Sequence, residues 1–400
     1  MPINYHRKLK GKISICSKDH LDTQEKLASA YTPGVAEACK EIVKDYENVY
    51  ELTNKWNNVA IISDGTRVLG LGNIGPYAAI PVMEGKAMLF KEFANIDAFP
   101  ICLNEKDKDK IIDTVKAIEP VFGGINLEDI ENPKCFFIEK ELINSLNIPV
   151  FHDDQHGTAI VVLAGLINAI HVLEMDKSIK IVVNGVGAAG NAITNILLNY
   201  GFKNIICLDS KGILNLGRKD LNEFKLELAK KTNKENLEGN LETAAKNADV
   251  IISTAGPNTI NEKHVKSMND KKIIFAISNP IPDIDPKLAE KLGVNIIATG
   301  RSDFRNQVNN LLAFPGVFRG ALDSTAKKIT DEMKIAAAEA IANYLEEPTE
   351  NNLMPSALDK RLHKQVAISV GIKALDNGIT RKKMTKSQLI DIINTNLVKN

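Results

Sequence analysis

The sequence has no excess of charge of either sign, because its 50 Lys and Arg residues balance its 50 Asp and Glu residues. A neutral chain has no general electrostatic attraction to nucleic acid or to an anionic membrane. The five cysteines are scattered without a C-x-x-C motif, which argues against a disulfide framework and a thiolate zinc site. We therefore expect a cytoplasmic protein with neither nucleic acid nor membrane as a partner.

Long apolar segments and internal repeats are also missing from the sequence. The first residues do not form a signal peptide, and the longest apolar run, residues 158–170, is too short to span a bilayer. That run predicts a buried helix instead. The 400 residues, 44% hydrophobic and 25% charged, predict a globular protein of two or three domains.

Strand–helix alternation predicts an α/β fold with a parallel sheet covered on both faces. We expect an N-terminal α/β catalytic domain over residues 1–155. A Rossmann-type, doubly wound dinucleotide-binding domain is expected over 156–400, with a helical segment (about 330–400) that packs back on the first domain. In the first domain, Pro81 is expected to precede a helix over 84–93. Strands are predicted at 59–63, 98–103, 149–151, 180–184, 205–208, 250–253, 273–277 and 294–298.

A G-x-G-x-x-G motif follows one predicted strand and opens a helix. Gly185 permits a tight turn, Gly187 lets the backbone approach a pyrophosphate, and Gly190 allows close helix–strand packing. Asp209 ends the next strand, at the position where an acidic side chain hydrogen-bonds the ribose hydroxyls, and its negative charge favours NAD. The positive charge of Lys211 leaves NADP open. The alternative is a structural strand–turn–helix with a chance Asp. The predicted dinucleotide contacts are Gly185, Gly187, Ala188, Ala189, Gly190 and Asp209.

Two acidic pairs stand in uncharged or apolar settings. Glu128 and Asp129 follow one apolar run, and Asp153 and Asp154 follow another. Buried carboxylates are costly unless they are paired or bound to a cation, and oxygen ligands suit Mg²⁺ or Mn²⁺. The alternative is that these residues cap a helix and form a solvated turn. Spacing alone leaves both interpretations open.

Three further residues have both a functional and a structural interpretation. Tyr31 stands in a compact turn near a helix start, and Lys86 lies in an otherwise apolar helix. The structural alternative for Tyr31 is that its ring packs against the protein. For Lys86, it is that the side chain extends so that its ammonium reaches water. Arg67 follows a Ser-Asp-Gly-Thr turn and either binds a carboxylate or is a surface charge.

Several long motifs resemble those of malic enzymes, specifically the short prokaryotic type, and occur in the same order along the chain. Eukaryotic members often have Asn-Asp-Asp-Ile-Gln where this chain has His-Asp-Asp-Gln-His at residues 152–156. We expect His152 and His156 to have a structural role and not to be metal ligands. The matching segments are 31–36 (YTPGVA), 63–72 (SDGTRVLGLG), 81–86 (PVMEGK), 125–130 (INLEDI), 151–159 (FHDDQHGTA), 277–280 (ISNP) and 314–317 (FPGV).

The resemblance implies oxidative decarboxylation of L-malate to pyruvate and CO₂ by a homodimer that uses NAD, or NADP, with Mg²⁺ or Mn²⁺. It makes Lys86 the general base and Tyr31 the general acid. Lys86 would act in its neutral form, because burial and the cation lower its pKa. Asp153 would share a proton with Lys86. The implied metal ligands are Glu128, Asp129 and Asp154; the malate contacts are Arg67, Asn279 and Asn310; Thr158 and Asn279 join the dinucleotide contacts.

Two other classes of protein share part of this pattern. An amino-acid dehydrogenase has a similar two-domain plan but requires no carboxylate metal cluster. A non-catalytic dinucleotide sensor would bind nucleotide without turnover. Whether Tyr31 and Lys86 act within one subunit or across an interface is left open by the sequence.

Overall fold

Two parallel sheets and their surrounding helices organise residues 2–398, the part of the chain that the computed structural model describes. The strands are β1 Asn58–Ser63, β2 Asp97–Cys102, β3 Gly124–Leu127, β4 Val150–His152, β5 Ile181–Asn184, β6 Ile205–Asp209, β7 Gly212–Ile213, β8 Val250–Ser253, β9 Ile273–Ala276 and β10 Ile296–Thr299. The helices are α1 Pro2–Leu9, α2 Gln24–Ala30, α3 Val35–Lys44, α4 Val49–Leu52, α5 Gly75–Ala94, α6 Lys108–Ile118, α7 Lys134–Ser145, α8 Thr158–Val172, α9 Ala188–Tyr200, α10 Glu223–Lys231, α11 Leu241–Ala245, α12 Glu262–Ser267, α13 Pro286–Lys291, α14 Phe314–Asp323, α15 Asp331–Ala342, α16 Lys360–Asp376 and α17 Lys386–Val398.

The first sheet has the order β2-β1-β3-β4, with every pair parallel. All six residues of β1 and all four of β3 are buried, as expected for a parallel sheet covered on both faces. Because parallel strands end at the same edge, the segments that follow β1, β3 and β4 meet there. That edge carries Arg67, Glu128, Asp129, Asp153 and Asp154.

The second sheet has the order β10-β9-β8-β5-β6-β7, in which only β7 runs antiparallel to its neighbour. The chain order reverses direction at β5, which has β6 on one side and β8 on the other. This reversal is the topological switch point at which doubly wound sheets bind ligands. The predicted fold class, an α/β protein with a Rossmann-type sheet, is confirmed.

The C-terminal helices contact the first half of the chain. The Phe90 ring of α5 packs edge-on against Phe314 and Phe318 of α14, with centroid distances of 4.8 and 5.2 Å. Farther along, the Asn95 side chain donates to the Asn396 carbonyl at 2.8 Å.

The expected domain boundary between residues 155 and 156 falls inside a π-helical turn, Asp153–Gly157, which continues directly into α8. The division into two domains stays a prediction.

The start of α5 differs from the sequence-based expectation. The helix begins at Gly75 and contains Pro81, which was expected to precede it. An internal proline removes the hydrogen bond to the carbonyl four residues earlier. That carbonyl belongs to Tyr77, which is 78% exposed. The lost bond therefore lies on a face where water can replace it.

The run Asp153–Val172 satisfies the length and hydropathy expected of a membrane-spanning helix, with a mean hydropathy of 1.3. However, 67% of that window is buried inside the protein. Its apolar residues belong to a core cluster that also contains residues of both sheets, in agreement with the predicted buried helix. The length and apolar composition of this helical run therefore reflect its position in the core of the protein.

Buried Glu139 of α7 holds the π-helical turn in place. Its Oε1 atom lies 2.8 Å from Nε2 of His156 and accepts the backbone N–H of His152 at 3.1 Å. Its Oε2 atom accepts the side-chain amide of Gln155, also at 3.1 Å. Burial alone would raise the pKa of Glu139, but the charge and hydrogen bond of His156 outweigh it and lower that pKa to about 2. One ionised carboxylate thus fixes three residues of the turn.

We expect Glu139→Gln to destabilise the protein, because it removes the charge and one acceptor from a buried network. Loss of one partner in such a network costs about 3 kcal/mol, which lowers the melting temperature by several degrees. The matched control is Glu141→Gln on the same helix; Glu141 is half-exposed and pairs with Lys116, a surface contact worth about 0–1 kcal/mol. Equal melting temperatures for the two variants, measured by calorimetry, would contradict the assignment.

Candidate active site

A cavity of about 990 Å³ opens between the carboxyl edges of the two sheets. Both halves of the chain contribute to its wall, from the loops after β1 and β3 to the glycine-rich loop after β5. The predicted site residues that line it are Arg67, Lys86, Glu128, Asp129, Asp154, Thr158, Gly187, Ala188, Ala189, Asn279 and Asn310. The structure therefore brings most of the predicted residues to one cavity.

Glu128, Asp129 and Asp154 form a compact acidic cluster at the first-sheet edge. Each contributes a carboxylate oxygen, and these oxygens lie within 4.8 Å of one another. The backbone N–H of Asp129 donates to Oδ2 of Asp154 at 2.8 Å, which fixes the two segments relative to each other. Burial and then the neighbouring Asp154 charge raise the pKa of Asp129 to about 8. Burial also raises the pKa of Glu128, and the nearby carboxylates add to that effect.

The acidic cluster fits a divalent cation. Oδ2 of Asp129 is buried and accepts no hydrogen bond from any residue in the described range. A buried carboxylate oxygen without a partner is costly, and a cation would satisfy it while relieving the repulsion among the three carboxylates. Three carboxylates supply the hard oxygen ligands that Mg²⁺ and Mn²⁺ prefer. Neither of the structural alternatives, a helix cap or a solvated turn, explains this burial.

Lys86 lies beside the acidic cluster, buried between two carboxylates. Its Nζ atom is 2.5 Å from Oδ2 of Asp153 and 3.0 Å from Oε1 of Glu128. The ammonium also lies 4.2 Å from the centroid of the Phe314 ring. Burial lowers the pKa of Lys86, but Asp153 and Glu128 outweigh burial and raise it above its ordinary value. The protein's own carboxylates therefore favour the protonated lysine, and the expectation of a neutral lysine, which depends on a bound cation as well as on burial, stays a prediction.

Two asparagine side chains complete the acidic region. The side-chain amide of Asn310 donates to Oδ2 of Asp153, and that of Asn126 donates to Oε2 of Glu128 at 2.9 Å. Asn126 was not predicted. Its signal in the sequence is an amide inside the apolar strand β3, where a polar side chain needs a partner.

Buried Asp283 organises the second-sheet side of the cavity. Its carboxylate accepts the backbone N–H groups of Ala255 and Gly256, each at 3.2 Å, and of Ser278 at 3.0 Å. Asn279, a predicted contact, follows Ser278 directly and lines the cavity. Asp283 was also missed by the sequence reasoning, because its partners come from two separate loops.

The glycine-rich loop has the geometry that its sequence predicts. Gly185 has a φ of +96°, a left-handed conformation that favours glycine. A Cβ at Gly190 would overlap the Gly185 carbonyl, so that only glycine permits this helix–strand contact. α9 begins at Ala188 with no side-chain cap, which leaves its first N–H groups available to a phosphate.

Asp209 ends β6 as predicted, but its carboxylate already has cationic partners. Burial would raise the pKa of Asp209, but hydrogen bonds from Arg218 and Lys225 lower it to about 2. Neither partner was predicted, because they lie 9 and 16 residues farther along the chain.

Tyr31 is the one proposed catalytic residue that lies away from the cavity. It follows α2, and its side chain is 68% exposed. Asp153, Gly185 and Gly190 also lie outside the cavity wall, each directly behind or beside a residue that lines it. Asp209 lies outside the wall as well, and the side chains that donate to its carboxylate do not line the cavity. For Tyr31 no such adjacency exists within the described chain.

Comparison with known proteins identifies the family. The model of "Malic enzyme, N-terminal domain" matches residues 10–143, and that of "Malic enzyme, NAD binding domain" matches residues 155–375. A NAD-dependent malic enzyme of Geobacillus stearothermophilus is 52% identical over 375 residues, covering 93% of this chain and 78% of that protein. An NADP-dependent malic enzyme of Halomonas elongata is 43% identical over 401 residues, covering 95% and 94%.

A solved structure agrees with these sequence relationships. The crystal structure of a malic enzyme from Pyrococcus horikoshii superimposes with a TM-score of 0.95 at 47% identity, covering 99% of this chain and 96% of that one. Sequence and structure thus agree over nearly the whole length, and this chain belongs to the malic enzyme family, decarboxylating malate oxidoreductases that use NAD or NADP.

Proposed function

We propose that this protein oxidises and decarboxylates L-malate in the described cavity, with Lys86 as general base and Asp153 as its proton partner. One observation carries the proposal: a buried lysine, paired with a carboxylate directly behind the cavity wall, shares the cavity with a cluster of three carboxylates and with the glycine-rich loop. Glu128, Asp129 and Asp154 would hold the divalent cation. Such a cation supplies Lewis-acid stabilisation of developing negative charge on the substrate oxygens.

The pair of Lys86 and Asp153 can hold and move a proton. Burial raises the pKa of Asp153, so this carboxylate accepts a proton more readily than an exposed one. The 2.5 Å separation of Nζ and Oδ2 allows the proton to pass from the ammonium to the carboxylate. The neutral amine left on Lys86 is then able to accept the hydroxyl proton of malate.

The malate carboxylates would be held by Arg67, Asn279 and Asn310. Arg67 lines the cavity and its guanidinium forms no ion pair with another residue between 2 and 398, so it is free to bind a carboxylate. An unpaired guanidinium favours bidentate recognition of such a group. Asn279 lies on the second-sheet side of the same cavity, and Asn310 lines it next to Asp153, which accepts one hydrogen bond from its amide. Thr158 and the backbone of Gly187 to Ala189 would contact the dinucleotide.

The N-terminal helices support a homodimer in which Tyr31 completes the site of the partner subunit. None of the residues in α1–α4 is buried. Large apolar side chains are nevertheless exposed there, a composition that marks an interaction surface. Tyr31 belongs to this surface and is remote from the cavity of its own subunit. The exposed apolar side chains are Ile3, Tyr5, Leu9, Ile13, Ile15, Leu21, Leu27, Tyr31, Val35, Val43, Tyr46 and Leu52.

A cytoplasmic location is part of the proposal. All five cysteines are free thiols, and two of them, Cys16 and Cys39, are exposed. Exposed free thiols persist in a reducing compartment. The balanced net charge gives no support for a nucleic acid or membrane partner.

We expect Lys86→Ala to lower kcat for malate oxidation by about 10²–10⁴-fold, the usual contribution of a general base. Binding of NADH, followed by its fluorescence, should persist, because Lys86 lies on the first-sheet side of the cavity. Lys91→Ala is the matched control on the same helix; Lys91 is half-exposed and pairs with Asp97. A near-normal kcat for a folded Lys86→Ala protein would show that another group is the base.

We expect a chelator to abolish malate oxidation and added Mg²⁺ or Mn²⁺ to restore it. Asp129→Asn should weaken Mn²⁺ binding, measured by electron paramagnetic resonance, by at least about tenfold, since it removes a negative charge from the cluster. Asp113→Asn changes an exposed carboxylate on α6 and should leave Mn²⁺ binding unaltered. Malate oxidation at full rate in the presence of chelator would overturn the metal assignment.

Complementation tests whether Tyr31 acts across subunits. Homodimers of Tyr31→Phe and of Lys86→Ala should both be inactive. If Tyr31 completes the partner's site, a heterodimer of the two variants has one intact site and should recover about half of the wild-type rate. The heterodimer is obtained by co-expression with two different affinity tags and purification on both. A heterodimer as inactive as the two homodimers would place Tyr31 and Lys86 in the same subunit, and an active Tyr31→Phe homodimer would remove Tyr31 from the chemistry.

A further inference from the structure

The Phe-Pro-Gly-Val segment at residues 314–317 begins α14 beside Lys86, yet none of the proposed catalytic or binding residues belongs to it. The side chain of Phe314 is fully buried, and the centroid of its ring lies 4.2 Å from Nζ of Lys86. An ammonium within about 6 Å of an aromatic centroid is attracted to the electron-rich face of the ring. Phe314 therefore contacts the proposed general base directly, although its side chain has no polar atom.

The ring lies against an ammonium that two carboxylates already hold. A lysine ammonium carries three N–H donors on a flexible four-carbon stem, so its position depends on the contacts that its head group makes. Nζ of Lys86 lies 2.5 Å from Asp153 and 3.0 Å from Glu128, and the Phe314 ring is its third neighbour. Lys86 also lines the cavity, and these three contacts therefore hold the amine at the edge of the substrate space.

Three features of the surrounding chain fix the position of the Phe314 ring. Pro315 stands in the first turn of α14, where its restricted φ suits the start of a helix. A Cβ at Gly316 would lie 2.7 Å from the carbonyl oxygen of His363, so glycine at this position lets α14 pack closely against α16. The ring of Phe90 packs edge-on against Phe314, with centroids 4.8 Å apart. The ring is thus held by the backbone behind it and by a second ring beside it.

The same stretch of chain also holds the carboxylate partner of Lys86. The side-chain amide of Asn310 donates to Oδ2 of Asp153, and Asn310 begins a single 3-10 turn that leads into α14. The backbone N–H of Ala313, the residue before Phe314, donates to the Asn310 carbonyl at 2.9 Å. One short segment from the second half of the chain therefore contacts both members of the proton-transfer pair, with an amide on Asp153 and a ring on Lys86.

We propose that Phe314 is a positioning residue for malate oxidation, whose ring holds Nζ of Lys86 where that atom accepts the hydroxyl proton of malate. Without the ring, the flexible stem of Lys86 lets Nζ move away from the substrate. A displacement of about 1 Å at a reacting group costs about 10²-fold in rate. The proposal rests on the function proposed for Lys86, and it concerns where the amine is held.

Phe314→Leu in the full-length enzyme tests the ring, because leucine keeps an apolar side chain there and removes the aromatic face. We expect kcat for malate oxidation to fall by at least about tenfold, since Nζ is no longer held in place. The KM for the dinucleotide and the binding of NADH, followed by its fluorescence, should stay unchanged. Phe314→Tyr keeps the ring and should retain most of the wild-type kcat. Phe314→Met, which is closer in volume, gives the same comparison if the leucine variant does not fold.

Phe318→Leu is the matched control for the loss of a buried ring. Phe318 lies one turn farther along α14, is also fully buried, and packs against the rings of Phe90 and Phe151 at centroid distances of 5.2 and 5.8 Å. This variant should lower the melting temperature, measured by calorimetry, about as much as Phe314→Leu does, and should keep a kcat close to that of the wild type.

Two results would overturn the proposal. One is an equal kcat in the two leucine variants, which would make the ring of Phe314 a packing element only. The other is a folded Phe314→Tyr protein as slow as Phe314→Leu. An active Lys86→Ala protein would instead refute the proposed base, and it is distinguished from both results because it does not involve Phe314.

Discussion

The site depends on one buried ammonium held between two carboxylates. Lys86 of α5 contacts Glu128, which follows β3, and Asp153, which opens the turn before α8. Removing one partner from such a buried group leaves an uncompensated charge, at a cost of several kcal/mol. The interaction therefore fixes three segments of the chain relative to one another.

The same interaction leaves an excess of negative charge. One ammonium faces four carboxylates, those of Glu128, Asp129, Asp153 and Asp154, and two asparagine amides supply only neutral donors. In a site of low dielectric this imbalance strongly favours the binding of a divalent cation. Family membership makes the two alternative classes, an amino-acid dehydrogenase and a silent dinucleotide sensor, wrong for this chain.

Local pattern was sufficient to predict most strands and the glycine-rich loop, whereas the roles given to Lys86, Tyr31 and the acidic residues came from the family resemblance. Apolar runs of four to six residues mark the buried strands, and the spacing of Gly185 and Gly190 reports backbone contacts that only glycine permits. Contacts between segments that are distant in the sequence could not be predicted from local pattern. Glu139, Asp283 and Arg218 each act on loops that the fold brings to them, and the ionisation of Lys86 depends on carboxylates 42 and 67 residues away. Tyr31 is a different case, because its side chain does not line the cavity formed by the described residues.

The π-helical turn at Asp153–Gly157 limits how this protein can be recombined with its relatives. It lies at the expected junction of the two domains, yet it carries a proposed metal ligand and the proton partner of Lys86, and Glu139 of the first domain holds it. Gly157 has no space for a Cβ because the Asp153 carboxylate occupies it. A chimera joined at this junction would divide a single packed unit between two parents. An exchange of nucleotide-binding modules must therefore transfer β5–β10 alone and keep the turn, α8 and α7 from one parent.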